Sequence, residues 1–244
     1  MRLGLVKFIN ARPLDLAFRK SDSYQIIEDT PSRLFESLME GRLDAALISS
    51  VECLRNTDRL NYCRTVGVCA KSEVTSILYL KKNKNSIPKR ILSDTGSRTS
   101  IALLQILLYR KTGELLHFET AQPESIPSSV DENTAGLLIG DSALRYRNNP
   151  GDLYTVDLGN WWNEQEGLPF VFAMWAYPEE HPITDDFFEN ALNFGLKHMN
   201  EIIENSEFPD TKQYLTEKLH YRLGDADLKA LDRFKALLLE AGLL

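Results

Sequence analysis

The sequence predicts an α/β protein folded as two lobes, and three observations carry that prediction. Short apolar runs rich in Val, Ile and Leu alternate along the chain with segments whose apolar residues recur at helical spacing. The stretch 24–50 reads strand, helix, strand, the unit that builds a parallel sheet through a right-handed crossover. The early and late segments together can form one lobe and the middle another.

Residues 2–9, "RLGLVKFI", read as a buried strand, and "NARPL" as a loop punctuated by Pro13. A short strand is expected around Tyr24–Glu28. Thr30 then suits an N-cap and Pro31 the first helical position, where the missing N–H is no loss. Leu34, Phe35, Leu38 and Met39 form one apolar face, and Gly41 ends the helix. "LDAALIS", "VTSILYLKKN" and "RILSDTG" read as further strands. Ile101, Leu104, Leu107 and Leu108 share a helical face that Gly113 stops. A turn-rich segment precedes "AGLLIGDSAL", a buried strand running into Gly140-Asp141. A strand, a helical piece and an apolar strand over Phe170–Tyr177 come next. The remainder reads as helical, "DTKQYLTEKLHYRL" included, with Asp225 as N-cap of a last helix that aligns Leu228, Leu231, Phe234 and Leu238.

The 244 residues suffice for a sizeable core in one domain or two compact lobes. Lys and Arg number 28 against 35 Asp and Glu, a net charge of −7. That balance argues against nucleic acid or an anionic membrane as the main partner, while leaving room for a small anion in a local site. No apolar run is long enough to span a bilayer, and the N-terminus lacks the pattern of a signal peptide. Three cysteines without a paired spacing read as reduced thiols, so a cytoplasmic setting is expected. The four histidines form no ligand motif, so no metal is expected.

In open α/β sheets ligands bind at the carboxyl ends of strands. Here those ends are small and polar: Asn10, Ser49-Ser50, the loop before Ser97, and Gly140-Asp141. The stretch "SDTGSRTSIALL" (93–104) places Gly96, Ser97, Arg98, Thr99 and Ser100 where a helix begins. A helix N-terminus offers unpaired N–H groups and partial positive charge to a carboxylate or phosphate, and Gly96 permits close approach. The same residues could serve only as a cap. Asn10 can orient a hydroxyl or carboxylate or merely close a turn; Arg12 can pair with a carboxylate. Asp141 can act as a base, hold a hydroxyl or cap the segment after it. Trp161, Trp162, Phe170, Phe172 and Trp175 can line a ring-shaped pocket, though core packing accounts for most such aromatics. GxxxxGK[ST] is absent, and neither a nucleophile–His–acid order nor a carboxylate pair stands out.

Taken together, "FINARPL" (8–14), "PSRLFESLMEGRLDAALISS" (31–50), "SDTGSRTSIALL" (93–104), "LLIGDSAL" (137–144) and "DLGNWWNEQEGLPFVFAMW" (157–175) resemble the chorismate dehydratase family of the futalosine route to menaquinone. The fragments keep the family order. The resemblance implies a two-lobed fold like type II periplasmic binding proteins, each lobe a mixed, mostly parallel sheet flanked by helices, with the ligand cleft between. By the same analogy the lobes are 1–77 with 174–244, and 78–173. It implies dehydration of chorismate to 3-[(1-carboxyvinyl)oxy]benzoate, without a cofactor. Asn10 would be the catalytic residue, and Arg12, Ser49, Ser50, Ser76, Gly96, Ser97, Arg98, Thr99, Ser100, Gly140 and Asp141 would surround the substrate. Relatives carry Leu-Ile-Pro-Ser where this chain has Leu47-Ile48-Ser49-Ser50, and a Gly-Pro pair before the Ser76 strand where this chain has none. A small-anion binding or sensor protein of the same fold, and the sister 1,4-dihydroxy-6-naphthoate synthase, are the competing readings. The sequence leaves the oligomeric state open.

Overall fold

The structure is a computed structural model that describes every residue except Thr95 and Ser97. The chain runs β1 (Arg2–Leu5), a 3₁₀ turn (Ile9–Ala11), α1 (Arg12–Arg19), β2 (Gln25–Glu28), α2 (Pro31–Met39), β3 (Ala45–Ser49), α3 (Ser50–Arg55) and β4 (Leu60–Ala70). It continues through β5 (Ile77–Lys81), β6 (Arg90–Ser93), α4 (Arg98–Thr112), β7 (His117–Thr120), β8 (Thr134–Ile139), α5 (Asp141–Asn148), β9 (Tyr154–Asp157) and α6 (Leu158–Glu166). It ends with β10 (Phe170–Pro178), α7 (Asp185–Lys197), α8 (Met199–Glu204), α9 (Thr211–Gln213), a π-helical turn (Tyr214–Lys218), β11 (Leu219–Arg222) and α10 (Asp225–Glu240).

Two sheets result. The first has the order β11-β4-β10-β3-β1-β2 and the second β7-β6-β8-β5-β9. The predicted crossover unit is present: β1 pairs in parallel with both β2 and β3, and α2 lies between β2 and β3 in the chain. In the second sheet β6 pairs in parallel with β7 and β8. The other pairings are antiparallel, so both sheets are mixed and parallel pairing does not predominate. The physical reason is the route of the chain. It leaves the first sheet after β4, builds the second, and returns as β10 to insert between β4 and β3, antiparallel to both.

Several elements depart from the sequence reading. The "NARPL" segment is not a loop: Pro13 sits in the first turn of α1, where proline starts a helix as readily as it ends one. The long strand β4 and the short β7 were not predicted, and the segment read as helical around Tyr214 ends instead as strand β11. Leu219, His220 and Arg222 pair with β4, so a free sheet edge outcompeted the helical periodicity. Thr30 caps α2 as expected, accepting from the Arg33 N–H at 3.5 Å, and Gly41 follows it at φ +71°. The cap of α10 is Gly224, not Asp225; Asp227 reaches back and accepts from the Gly224 N–H at 2.9 Å.

One continuous apolar core runs through both lobes, joining Leu3, Leu47, Val68, Leu104 and Trp175. Trp162 and Trp175 are wholly buried in it. A smaller cluster, including Leu80, Ile126 and Leu138, fills the far side of the second sheet. Between the sheets the chain crosses twice, at 71–76 and at 167–169. The first crossing is held by Asp157, whose carboxylate accepts from the N–H groups of Val74 (3.0 Å) and Thr75 (2.6 Å) while capping α6 through the Asn160 N–H (3.0 Å). No helix among the described residues is long and apolar enough to cross a membrane.

Candidate active site

The ends of strands from both sheets meet over a cavity of about 540 Å³, counting space open to solvent. Its walls are mostly apolar, with Phe8, Leu47, Val68, Val74, Ile139 and Phe172 contributing. Its polar lining is Asn10, Ser49, Ser76, Ser100 and the Gly140 backbone. Each sits at an element boundary. Asn10 lies in the 3₁₀ turn after β1, Ser49 ends β3, Ser76 precedes β5, Ser100 is in the first turn of α4, and Gly140 joins β8 to α5. A few placed polar groups in an apolar hollow is the usual character of a small-molecule site. Of the aromatics considered for a ring pocket, Phe172 lines this cavity.

Asn10 and Ser76 are linked by a residue that sequence reasoning missed. The Tyr214 hydroxyl donates to Ser76 Oγ at 2.7 Å and accepts from Asn10 Nδ2 at 3.2 Å. Burial pushes the phenol well above its ordinary range, outweighing the hydrogen bonds with Ser76 and Asn10. No periodicity marks Tyr214, because it comes from the π-helical turn near the end of the chain. A single-turn π segment is itself a frequent mark of a functional position.

Beside Ser76, Thr75 adopts φ +63°, a left-handed conformation that is costly for a β-branched residue. The Asp157 carboxylate holds it there. Burial raises the Asp157 carboxyl above its ordinary value, and the N–H groups of Asn160, Val74 and Thr75 offset part of that. Gly159 brings the start of α6 against the same segment: a Cβ there would lie 2.3 Å from the Ser72 carbonyl oxygen.

Of the other candidate residues, Thr99, Ser50 and Arg98 lie at the joint between the lobes. Thr99, expected to hold substrate, is wholly buried, and its Oγ1 accepts from the Val51 N–H at 3.1 Å. Its hydroxyl also meets Ser50 Oγ at 3.3 Å, and Ser50 donates to the Val171 carbonyl at 2.7 Å. Neither Thr99 nor Ser50 lines the cavity, because the start of α3 uses Thr99 from the facing lobe as its cap. Arg98 turns outward, pairing with Glu36 (3.0 Å) and Glu52 (3.5 Å) over the Phe35 ring. Arg12 braces its own neighbourhood, donating to Asp15 at 3.2 Å and to the Lys7 carbonyl at 3.1 Å.

Asp141 accepts from the Ile9 N–H at 3.3 Å across the cleft, and burial raises its carboxyl. Gly96 donates its N–H to Asp94 at 2.7 Å in a local turn. Ser97 lies outside the described residues. Gly140 takes φ +63°, and a Cβ there would lie 2.8 Å from the Phe8 ring, so only glycine fits where the lobes touch.

Though the sequence shows no ligand motif, the fold gathers a group of potential ligands. Cys69, His220 and Asp227 bring their potential ligand atoms within 4.8 Å of one another. Cys69 and His220 are directly opposed across β4 and β11, a pairing invisible without the sheet. His220 Nε2 is 2.8 Å from Asp227 Oδ1, so the contact secures the start of α10 against the sheet.

Two mixed α/β lobes, a doubly crossed connection and a cleft at the strand ends define a periplasmic-binding-protein-like molecule. A Candida albicans protein described as having the generic periplasmic binding protein fold superposes with a TM-score of 0.67 at 15% identity, covering 100% of this chain and 90% of that one. The chain belongs to the menaquinone biosynthesis family, whose model matches residues 1–240. A chorismate dehydratase of Campylobacter jejuni is 27% identical over 252 residues, covering 96% of each chain. One of Thermus thermophilus is 27% identical over 255 residues, covering 95% of this chain and 93% of that protein.

Proposed function

We propose that this chain is a chorismate dehydratase, a cofactor-independent carbon–oxygen lyase of the futalosine route, working in the cytoplasm on a small-molecule substrate. The observation that carries the reading is the polar lining of the cavity. No Lys or Arg is among the described lining residues; instead neutral donors line it, including Ser100 in the first turn of α4 and the Gly140 backbone just before α5. Helix N-termini hold carboxylates without a counter-charge. That environment suits a dianion whose charge must shift during reaction.

The chemistry asks little else of the protein. The proton at the ether-bearing carbon is acidified through the conjugated ring carboxylate. Its removal places charge on that carboxylate, where Ser100 and neighbouring backbone N–H groups would stabilise it. The adjacent hydroxyl then leaves, and the ring becomes aromatic. One proton and one hydroxide depart as water, so no oxidant or cofactor enters the balance. The base in this scheme is the substrate's own side-chain carboxylate, and Asn10 orients the reacting groups. Ser49 and Ser76 hold the substrate from the opposite walls, and the lobes, drawn as 1–77 with 174–244 and 78–173, close over it.

Purified protein incubated with chorismate alone should yield the aromatic enolpyruvyl ether, detected by mass. Asn10→Ala should lower turnover by about 100-fold or more. Binding without turnover would instead indicate a receptor, and no binding would refute the assignment.

A further inference from the structure

Tyr214 stands between the two side chains that reach the cavity from opposite sides of its wall, and its hydroxyl decides how each of them presents its protons. The residue is 3% exposed and lies 204 positions from Asn10 and 138 from Ser76 in the chain. A phenol carries one proton and can donate it once. Given to Ser76 Oγ at 2.7 Å, that proton leaves the phenol oxygen as an acceptor only. Asn10 must then turn its NH₂ toward Tyr214, as the 3.2 Å contact records. The carboxamide is otherwise free to sit either way round. Ser76 Oγ, with a lone pair occupied by Tyr214, directs its own proton elsewhere, and the cavity it lines is the open direction. The strained Thr75 and the Asp157 carboxylate hold Ser76 in that register.

We propose that Tyr214 is a positioning residue for the dehydration, ordering the chain Asn10–Tyr214–Ser76 so that Ser76 donates into the cavity and the Asn10 carboxamide oxygen faces the substrate as acceptor. The inference rests on the dehydratase reading. Tyr214 itself is not among the described cavity-lining residues and acts through its two partners. No proton is transferred along the chain; the tyrosine fixes donors and acceptors before substrate arrives.

The test compares wild type, Tyr214→Phe, Ser76→Ala and the double variant with chorismate as substrate, measuring kcat, KM and the melting temperature of each. The phenylalanine keeps the ring and its packing. We expect kcat to fall on the order of 10- to 100-fold in Tyr214→Phe, with KM changing less than about threefold. The double variant should be no slower than about twofold below the worse single variant, because the residues act as a unit. Tyr214→Phe with wild-type kcat, whatever its melting temperature, would overturn the proposal, as would losses that multiply in the double variant. A wild-type protein that does not turn over chorismate would overturn the dehydratase reading itself, whereas an active wild type with an unimpaired Tyr214→Phe would sink this inference alone.

Discussion

Gly140 and Thr75 show at the residue scale where the backbone is held out of its easy conformations; Gly140 lines the cavity, and Thr75 sits between Val74 and Ser76, which do. At Gly140 the cause is legible: φ +63° and the Phe8 ring leave no room for a side chain. Gly140→Ala should therefore cost roughly 1–3 kcal/mol of stability in urea denaturation and weaken substrate binding, since the displaced Phe8 also lines the site. Asn10 and Ser49 were identifiable in the sequence because small polar residues ended apolar runs, Ser100 because it opens a helix, and Ser76 only through the family resemblance. Thr99 and Ser50 carried the same signal yet face each other across the lobe joint. Nothing in one dimension separates a hydroxyl that meets ligand from one that meets a facing helix. Tyr214 carried no signal at all, because its importance depends on two residues far away in the chain.

Elements report a similar division. Helix α2 was readable from cap to stop because Thr30, Pro31 and Gly41 each act locally. Helix α10 was readable in its apolar face but not in its start. Asp227 closes that start by accepting from Gly224 and His220 together. Burial alone would raise its carboxyl, but the hydrogen bonds from His220 and the Gly224 N–H prevail and leave it below the ordinary value. A carboxyl lowered in the folded state stabilises the fold above its unfolded pKa of about 3.9, and that contribution fades as pH falls through the lower folded value. Asp227→Asn should therefore be less stable than wild type near neutral pH. The gap should narrow in acid, which thermal melts across pH would record. Strand β11 was misread because "EKLHYRL" has helical spacing, while the unpaired edge of β4 offered it a ladder.

At the scale of the whole molecule, several contacts cross between the lobes. Thr99 caps α3, Asp141 accepts from Ile9, and Arg98 pairs with Glu36 and Glu52. Glu52 is 4% exposed and pairs with both Arg98 and Arg55. Arg98→Ala should shift the unliganded protein toward an open form, visible as a larger radius of gyration in solution scattering. KM for chorismate should rise up to about fivefold, in keeping with a pair worth at most about 1 kcal/mol at partial exposure. Scattering that matches wild type would deny Arg98 a part in closure.

Legible in the order of residues alone were the α/β class, the crossover unit of the first sheet, the glycine stops of α2 and α4, and several of the polar strand ends from which the site is built. These come from hydrophobic period and local backbone chemistry, which act over a few residues. The folded arrangement supplies the rest: which hydroxyls face the cavity, that β10 returns antiparallel between β4 and β3, and that Tyr214 joins Asn10 to Ser76. Those choices are set by contacts between segments from about fifty to about two hundred residues apart, and a single chain read in order carries no local trace of them.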